Sequence, residues 1–282
     1  MKKSILHTLT ILLLLFTAVS CHYLPYKAAE FSETQDLTSQ FNINASPYDR
    51  TGYVYHYIKS DLKGSNPCKI WIYYPSQLRS ESFKIYKQAK LQRATDLVCA
   101  NYNPETFMPS SITAYLVKKD GERIKNAVTE YEGFNLSLTL NNKTQTLEFG
   151  TIPSYFYNFD WADLNSMVPY LINKQSDFEA GFISPDNFAK IKYQGKTTYT
   201  YTGQSVYKGS LCNVFSVVVE GLEEKKGTLY IDSVNSDVIE IHMELPNNPN
   251  FNSFLFSFQS KEQMTLDEWN TFIKIKTDEA LK

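Results

Sequence analysis

From Gly52 onward, apolar and polar residues alternate with a period of two in one short run after another, the pattern of strands that show one face to a core and one to water. Tyr53-Val54-Tyr55-His56-Tyr57-Ile58 places three tyrosines on one face, and Phe134 to Leu140 alternates strictly. Further strands are expected at Glu81 to Gln88, Ile112 to Lys118, Phe188 to Gln194, Thr197 to Thr202, Leu211 to Glu220, Thr228 to Asp232, Val238 to Leu245 and Asn252 to Phe258. Turn residues separate them: Lys119-Asp120-Gly121-Glu122, Gly195-Lys196, Tyr207-Lys208-Gly209-Ser210 and Asn235-Ser236-Asp237 among others. Lys90 to Ala100 fits either a strand or a helix. About ten strands in succession with tight turns point to an antiparallel meander. The fold class is mainly β: a single curved antiparallel sheet or half-barrel, with a sandwich and a closed barrel as the other solutions.

One run breaks the alternation. Lys69-Ile70-Trp71-Ile72-Tyr73-Tyr74 is apolar on both faces before Pro75 ends it. A sheet that packs only one face should alternate, so both faces of this strand are expected to be covered. A mid-chain helix can cover one face, and a ligand or cavity the other. Asp160 can cap a mid-chain helix with Leu164, Met167, Val168, Leu171 and Ile172 on one stripe, broken or kinked at Pro169. Thr265-Leu266-Asp267-Glu268 is a capping box that opens a C-terminal helix with Trp269, Phe272 and Ile273 on one side.

The N-terminus sets the compartment. Lys2 and Lys3 precede an apolar core around Ile5 to Phe16, shorter than the roughly 20 residues of a bilayer span. Ala18-Val19-Ser20-Cys21 resembles a bacterial lipobox, which implies that residues 1–20 are a lipoprotein signal peptide and that Cys21 becomes the lipidated N-terminus. An ordinary secretory signal is the alternative. His22 follows Cys21; the absence of aspartate there favours the outer membrane, with the protein facing the periplasm. Residues 21–50 are polar and read as a tether, and residues 51–282 as one β-rich domain. Removing Lys2 and Lys3 leaves 26 basic against 30 acidic residues, no footprint for nucleic acid and no polybasic membrane patch. Membrane attachment therefore rests on the lipid. Cys68, Cys99 and Cys212 remain; an odd number permits at most one internal disulfide, with Cys68–Cys99 the pair considered, and their isolation does not suit a zinc site.

The lipoprotein signal, the successive strands, one mid-chain helix and the late run Gly227-Thr228-Leu229-Tyr230-Ile231-Asp232 followed by Val238-Ile239-Glu240-Ile241 resemble the half-barrel periplasmic carriers typified by the lipoprotein-localisation factors (LolA-like). The resemblance covers the chain from about Gly52 by pattern, with no diagnostic motif. It implies a curved sheet wrapped around an apolar cavity that accepts acyl chains.

Chemistry-bearing clusters are few. Glu240, His242 and Glu244 share one strand face, but residues two apart on a strand stand roughly 7 Å apart, which suits a solvated outer face better than a metal site. His56 lies between tyrosines without a nucleophile motif, and Asp160 and Asp163 suit helix capping better than paired acid–base work. No catalytic or cofactor motif is present, so no catalysis, cofactor or metal is expected. With 20 Tyr and 18 Phe, the aromatic strands remain. Tyr55, Ile70, Trp71, Ile72, Tyr73, Phe254 and Phe256 are the expected binding residues for a lipid or other apolar ligand. A non-enzymatic interaction module for an envelope protein is the alternative, and a hydrolase follows it.

Overall fold

The computed structural model describes residues 50–65, 67–75, 83–91, 94–102, 109–132, 135–140, 143–148, 155–157, 164–186, 190–219, 226–244 and 253–282. Residues 1–49, which hold the expected signal, Cys21 and all of the expected tether but Arg50, lie outside the described residues, as do Asp160 and Asp163.

The described residues build one sheet of fifteen strands. In chain order these are β1 (Tyr53–Ser60), β2 (Cys68–Tyr73), β3 (Phe83–Leu91), β4 (Ala94–Tyr102), β5 (Pro109–Lys118), β6 (Arg123–Glu132), β7 (Asn135–Leu140) and β8 (Lys143–Glu148), then β9 (Tyr155–Tyr157), β10 (Phe178–Asp186), β11 (Lys190–Tyr207), β12 (Ser210–Val219), β13 (Lys226–Asp232), β14 (Val238–Glu244) and β15 (Ser253–Gln263). The spatial order runs from β8 back to β1, then β15 back to β9. Each half is thus a meander, and the two halves join where the first strand pairs with the last, Tyr53 opposite Gln263. Neighbours are antiparallel throughout except β9 and β10, which run parallel. A parallel pair needs a crossover, and the mid-chain helix supplies it. The sheet curls until β8 comes within 8 Å of β11, but it does not close.

Two local expectations change. The ambiguous run around Lys90 to Ala100 is the end of β3 and most of β4, pairing Ile85 with Val98. Gly195-Lys196 is not a turn, since β11 passes straight through it for 18 residues. The irregularity there is a register shift against β10 between Gly181 and Ile183, where a bulge absorbs an extra residue without ending the strand. The sheet does make one close approach that demands glycine. A Cβ on Gly227 would meet the His242 carbonyl oxygen at 2.7 Å and the Met243 Cβ at 2.8 Å.

Both faces are covered, by different devices. On the outer face, α2 (Leu266–Ala280) packs Trp269 and Ile273 onto Val54, Trp71, Tyr73, Tyr86, Leu97 and Val117. The capping box forms: Glu268 N–H donates to the Thr265 hydroxyl (3.3 Å) and Thr265 N–H donates to Glu268 Oε2 (2.7 Å). On the inner face, α1 (Leu164–Met167) and a following 3-10 turn (Val168–Tyr170) sit inside the curve. Leu164, Met167, Val168 and Leu171 are buried there as the stripe predicts, whereas Ile172 is exposed. Pro169 explains why the helix is short: it lacks an amide proton and disfavours the α conformation at the residue before it, and the chain tightens to 3-10 geometry.

Cys68, Cys99 and Cys212 are free thiols. Cys68 packs against the inner cluster and Cys99 against the outer one, and β3 lies between their strands, so the sheet itself separates the pair considered above.

Candidate ligand site on the inner face

Strand alternation directs Tyr55 and Tyr57 of β1, Ile70 and Ile72 of β2, and Phe254 and Phe256 of β15 to the inner face, where all six are buried in one cluster with the α1 side chains. Tyr57 stacks on Phe256 with ring centroids 4.2 Å apart, and Phe178 of β10 stacks on Tyr199 of β11 at 4.3 Å. Aromatic pairs in these geometries add to the area they bury. Five of the expected binding residues, Tyr55, Ile70, Ile72, Phe254 and Phe256, therefore share the inner face. Trp71 and Tyr73 do not. They alternate to the outer face beneath α2, where Tyr73 stacks on Trp269 (5.0 Å) and Trp71 meets Phe272 edge-on (5.4 Å). His56 lies on that side too, stacked on Trp71 at 4.8 Å. Its burial, with Lys69 and Lys276 nearby, holds the imidazole below its ordinary pKa.

At the end of the sheet where β1 begins, the inner face becomes polar. Arg50 is buried and reaches inward, with its guanidinium 5.0 Å from the Tyr55 ring centre and 5.7 Å from that of Tyr74. Its Nη2 donates to the Ser236 carbonyl (3.0 Å) and to Asp237 Oδ1 (3.0 Å), and its Nη1 donates to the Asn165 carbonyl of α1. Lys261 of β15 donates to the other Asp237 oxygen (2.9 Å). Asn165 also accepts from Val238 N–H (3.1 Å) and donates to the Tyr74 hydroxyl (3.2 Å), which pairs with Ser166 (3.1 Å). Past the 3-10 turn, Lys174 donates to the carbonyls of Val168 and Pro169; burial and the Arg50 charge push its pKa down to about 8. Burial pushes the Tyr55 and Tyr57 hydroxyls well up, so both remain neutral donors. Arg50 Nε is buried without a hydrogen-bond partner among the described residues.

Sequence reasoning did not find this network. Arg50 stands at the boundary assigned to the tether, Asp237 looks like a turn residue, and Asn165 and Ser166 look like ordinary polar positions beside an apolar stripe. The usable signal was the stripe itself: a helix that buries Leu164, Met167 and Val168 must also bury the backbone and polar groups between them, and these require partners.

A second polar cluster lies on the outer face. Glu240 is buried rather than solvated, which corrects the expectation for the Glu240, His242 and Glu244 face. The reason is the β11–β12 hairpin, whose tip folds over β14: the Tyr207 hydroxyl and Lys208 Nζ each donate to Glu240 at 2.6 Å, and Lys208 also reaches Ser257 at 2.6 Å. Tyr207 stacks on Tyr230 at 3.9 Å, and His242 Nδ1 lies 3.3 Å from Glu240. Burial alone would raise the Glu240 carboxyl, but the bonds from His242, Lys208 and Tyr207 hold it at about 2. Among the described residues no group of three or more His, Cys, Asp and Glu could hold a metal ion.

No family model and no curated protein matches the chain. Solved structures similar to it include a beta-barrel-like protein of a domain of unknown function from Brucella abortus, at 10% identity over 77% of this chain and 99% of that one, with a TM-score of 0.42. The hypothetical lipoprotein YmcC from Escherichia coli is similar at 13% identity over 79% and 88%, TM-score 0.29. A LolA superfamily protein from Nitrosomonas europaea is similar at 6% identity over 83% and 96%, TM-score 0.24. The sheet order, the open edge and the two helices agree with the half-barrel resemblance of the sequence pattern.

Proposed function

We propose that the protein is a non-enzymatic cell-envelope lipoprotein that binds an acyl chain or lipid on the inner face of its curved sheet. The observation that carries this reading is the way that face is covered. Besides the side chains that the curled sheet brings together, what fills that face among the described residues is a four-residue helix and a 3-10 turn rather than a second sheet. So short a helix has no stability of its own. It is held by packing and by the Arg50–Asn165 and Asn165–Tyr74 bonds, both of which can break and re-form. An acyl chain is chemically equivalent to what Leu164, Met167 and Val168 now supply, so it can occupy the same groove when the segment withdraws. The unpartnered Arg50 Nε offers one donor to the polar end of such a ligand. Cys21 anchors the molecule to the outer membrane, facing the periplasm.

Mass spectrometry of extracts from gently purified full-length protein tests this directly, together with uptake of a fluorescent fatty acid. Co-purifying lipid is expected, as is uptake that falls when Ile72 on the inner face is replaced by aspartate and survives when the exposed Ile275 on α2 is replaced in the same way. If no lipid co-purifies and both substitutions leave uptake alike, the inner face is only a core.

A further inference from the structure

The strand registers place several features at one end of the sheet. β1 starts where β15 ends, and that end of β15 lies beside the start of β14. The β13–β14 turn and the tip of the β11–β12 hairpin point the same way. Arg50 and α1 seal the interior at this end through Ser236, Asp237 and Val238.

The turns around that seal expose aliphatic side chains. Val206 and Leu211 sit opposite each other across the hairpin, 74% and 48% exposed. Val234 in the adjoining turn is 70% exposed, and its neighbour Ser233 donates to the Leu211 carbonyl (2.9 Å). Both tips are held firmly. Tyr207 and Lys208 fasten the hairpin to Glu240, while Asp232 Oδ1 accepts from the N–H groups of Val234 (2.9 Å) and Asn235 (2.7 Å). Leu211 also continues the β12 row of Val219, Val217 and Phe215, which line the inner face. The row is interrupted at Asn213, which Gln204 satisfies (2.9 Å). The rim therefore lies on the inner-face side of β12, separated from Phe215 by this one polar pair.

We propose that this rim, formed by Val206, Leu211 and Val234, docks on the lipid bilayer. Three observations select a bilayer as the occupant. The side chains are branched aliphatics on rigid turn tips, which bury in an acyl region without unfolding. Val206 and Leu211 lie on the same side of the sheet as the face proposed to bind acyl chains, one polar pair beyond it. The chain also enters the fold here, because Arg50 belongs to this end and the 28 residues before it lead back to Cys21. A peptide of that length spans at most about 100 Å, so the anchor tethers the domain from this end. The inference rests on the lipid-binding reading and on Cys21 as the lipidated residue; it adds where lipid enters, beside the α1 seal.

The test uses the full mature chain with Cys21→Ser, which removes the anchor, and flotation with phosphatidylethanolamine–phosphatidylglycerol vesicles. Weak flotation is expected, reduced about tenfold or more by Val206→Asp with Val234→Asp. Leu62→Asp, exposed at the opposite end of the sheet, should leave it unchanged. Thermal unfolding of the double variant should match the parent, and its uptake of fluorescent fatty acid from solution should persist. Equal flotation of parent and double variant, or none by the parent, overturns the docking. Self-association in sedimentation that the double variant abolishes, without flotation, overturns it in favour of an interface between copies. Flotation that depends on the rim, without fatty-acid uptake by the parent, overturns the lipid-binding reading while the docking stands.

Discussion

The two faces of this sheet are closed by helices of opposite character. The outer face carries α2, with 15 residues, a complete capping box and a fully buried Trp269. The inner face carries α1, with four residues, a proline-broken continuation and no side-chain cap on its 3-10 turn. α2 is fixed mainly by apolar area, supplemented by Thr277, which meets Tyr86 (3.0 Å) and Thr95 (2.8 Å). α1 buries Leu164 and Met167 in the inner cluster and is held as well by polar bonds to Arg50, Tyr74 and Val238. Apolar burial is non-directional, whereas the bonds of a buried polar network depend on one another and on their geometry. On the function proposed above, the outer helix is the permanent cover and the inner segment the one that withdraws.

The sharpest way to break this contrast is to truncate the anchor of the permanent helix. Trp269→Ala removes a side chain that stacks on Tyr73 and Phe272 (5.0 and 5.7 Å). A loss of about 4 kcal/mol is expected in urea denaturation, with lipid uptake per folded molecule unchanged. A variant that folds normally but no longer takes up lipid would move the binding function to the outer face.

Next in size is Arg50→Met. It keeps the bulk but leaves the buried Asp237 with Lys261 alone. Breaking a buried ion pair costs about 3 kcal/mol. Unlike Trp269→Ala, it should also speed amide exchange across residues 164–170 and raise the rate of fatty-acid uptake, because the inner segment loses its bond to the Asn165 carbonyl. Exchange rising equally in α2 would mean that the two faces open together and that the contrast is false.

These two residues also show how far the sequence was legible. Trp269 was readable, because a capping box followed by Trp269, Phe272 and Ile273 names both the helix and its buried side. The two-sided apolarity of Ile70 to Tyr74 correctly announced that both faces of β2 are covered. It left the second face to a ligand or cavity where α2 in fact lies, so Trp71 and Tyr73 were grouped with a ligand site from which the sheet separates them. A period of two assigns residues to alternate faces but does not say which face is concave. Arg50 and Asp237 were not readable at all, being joined across 187 positions by the closure of β1 on β15, a pairing of chain ends that no local pattern encodes. Glu240 failed for the same reason: its alternation was right, but the hairpin that buries it comes from β11.

The smallest expected effect is the most discriminating about the outer helix. In Thr265→Ala the one hydroxyl that both accepts from Glu268 N–H (3.3 Å) and donates to Glu268 Oε2 (2.9 Å) disappears. The backbone bond from Thr265 N–H to Glu268 can persist. Loss of such a cap costs about 1 kcal/mol. The strain should stay local, since Trp269 lies just beyond the first amides and is fully buried. Hydrogen exchange is then expected to rise for residues 266–269 and to stay unchanged for 273–280, where Ile273 and Thr277 hold the helix to β3 and β4. Residues 164–170 should exchange as in the parent. If α2 instead exchanges throughout at one common faster rate, the helix leaves the sheet as a whole, and the outer cover is as removable as the inner one.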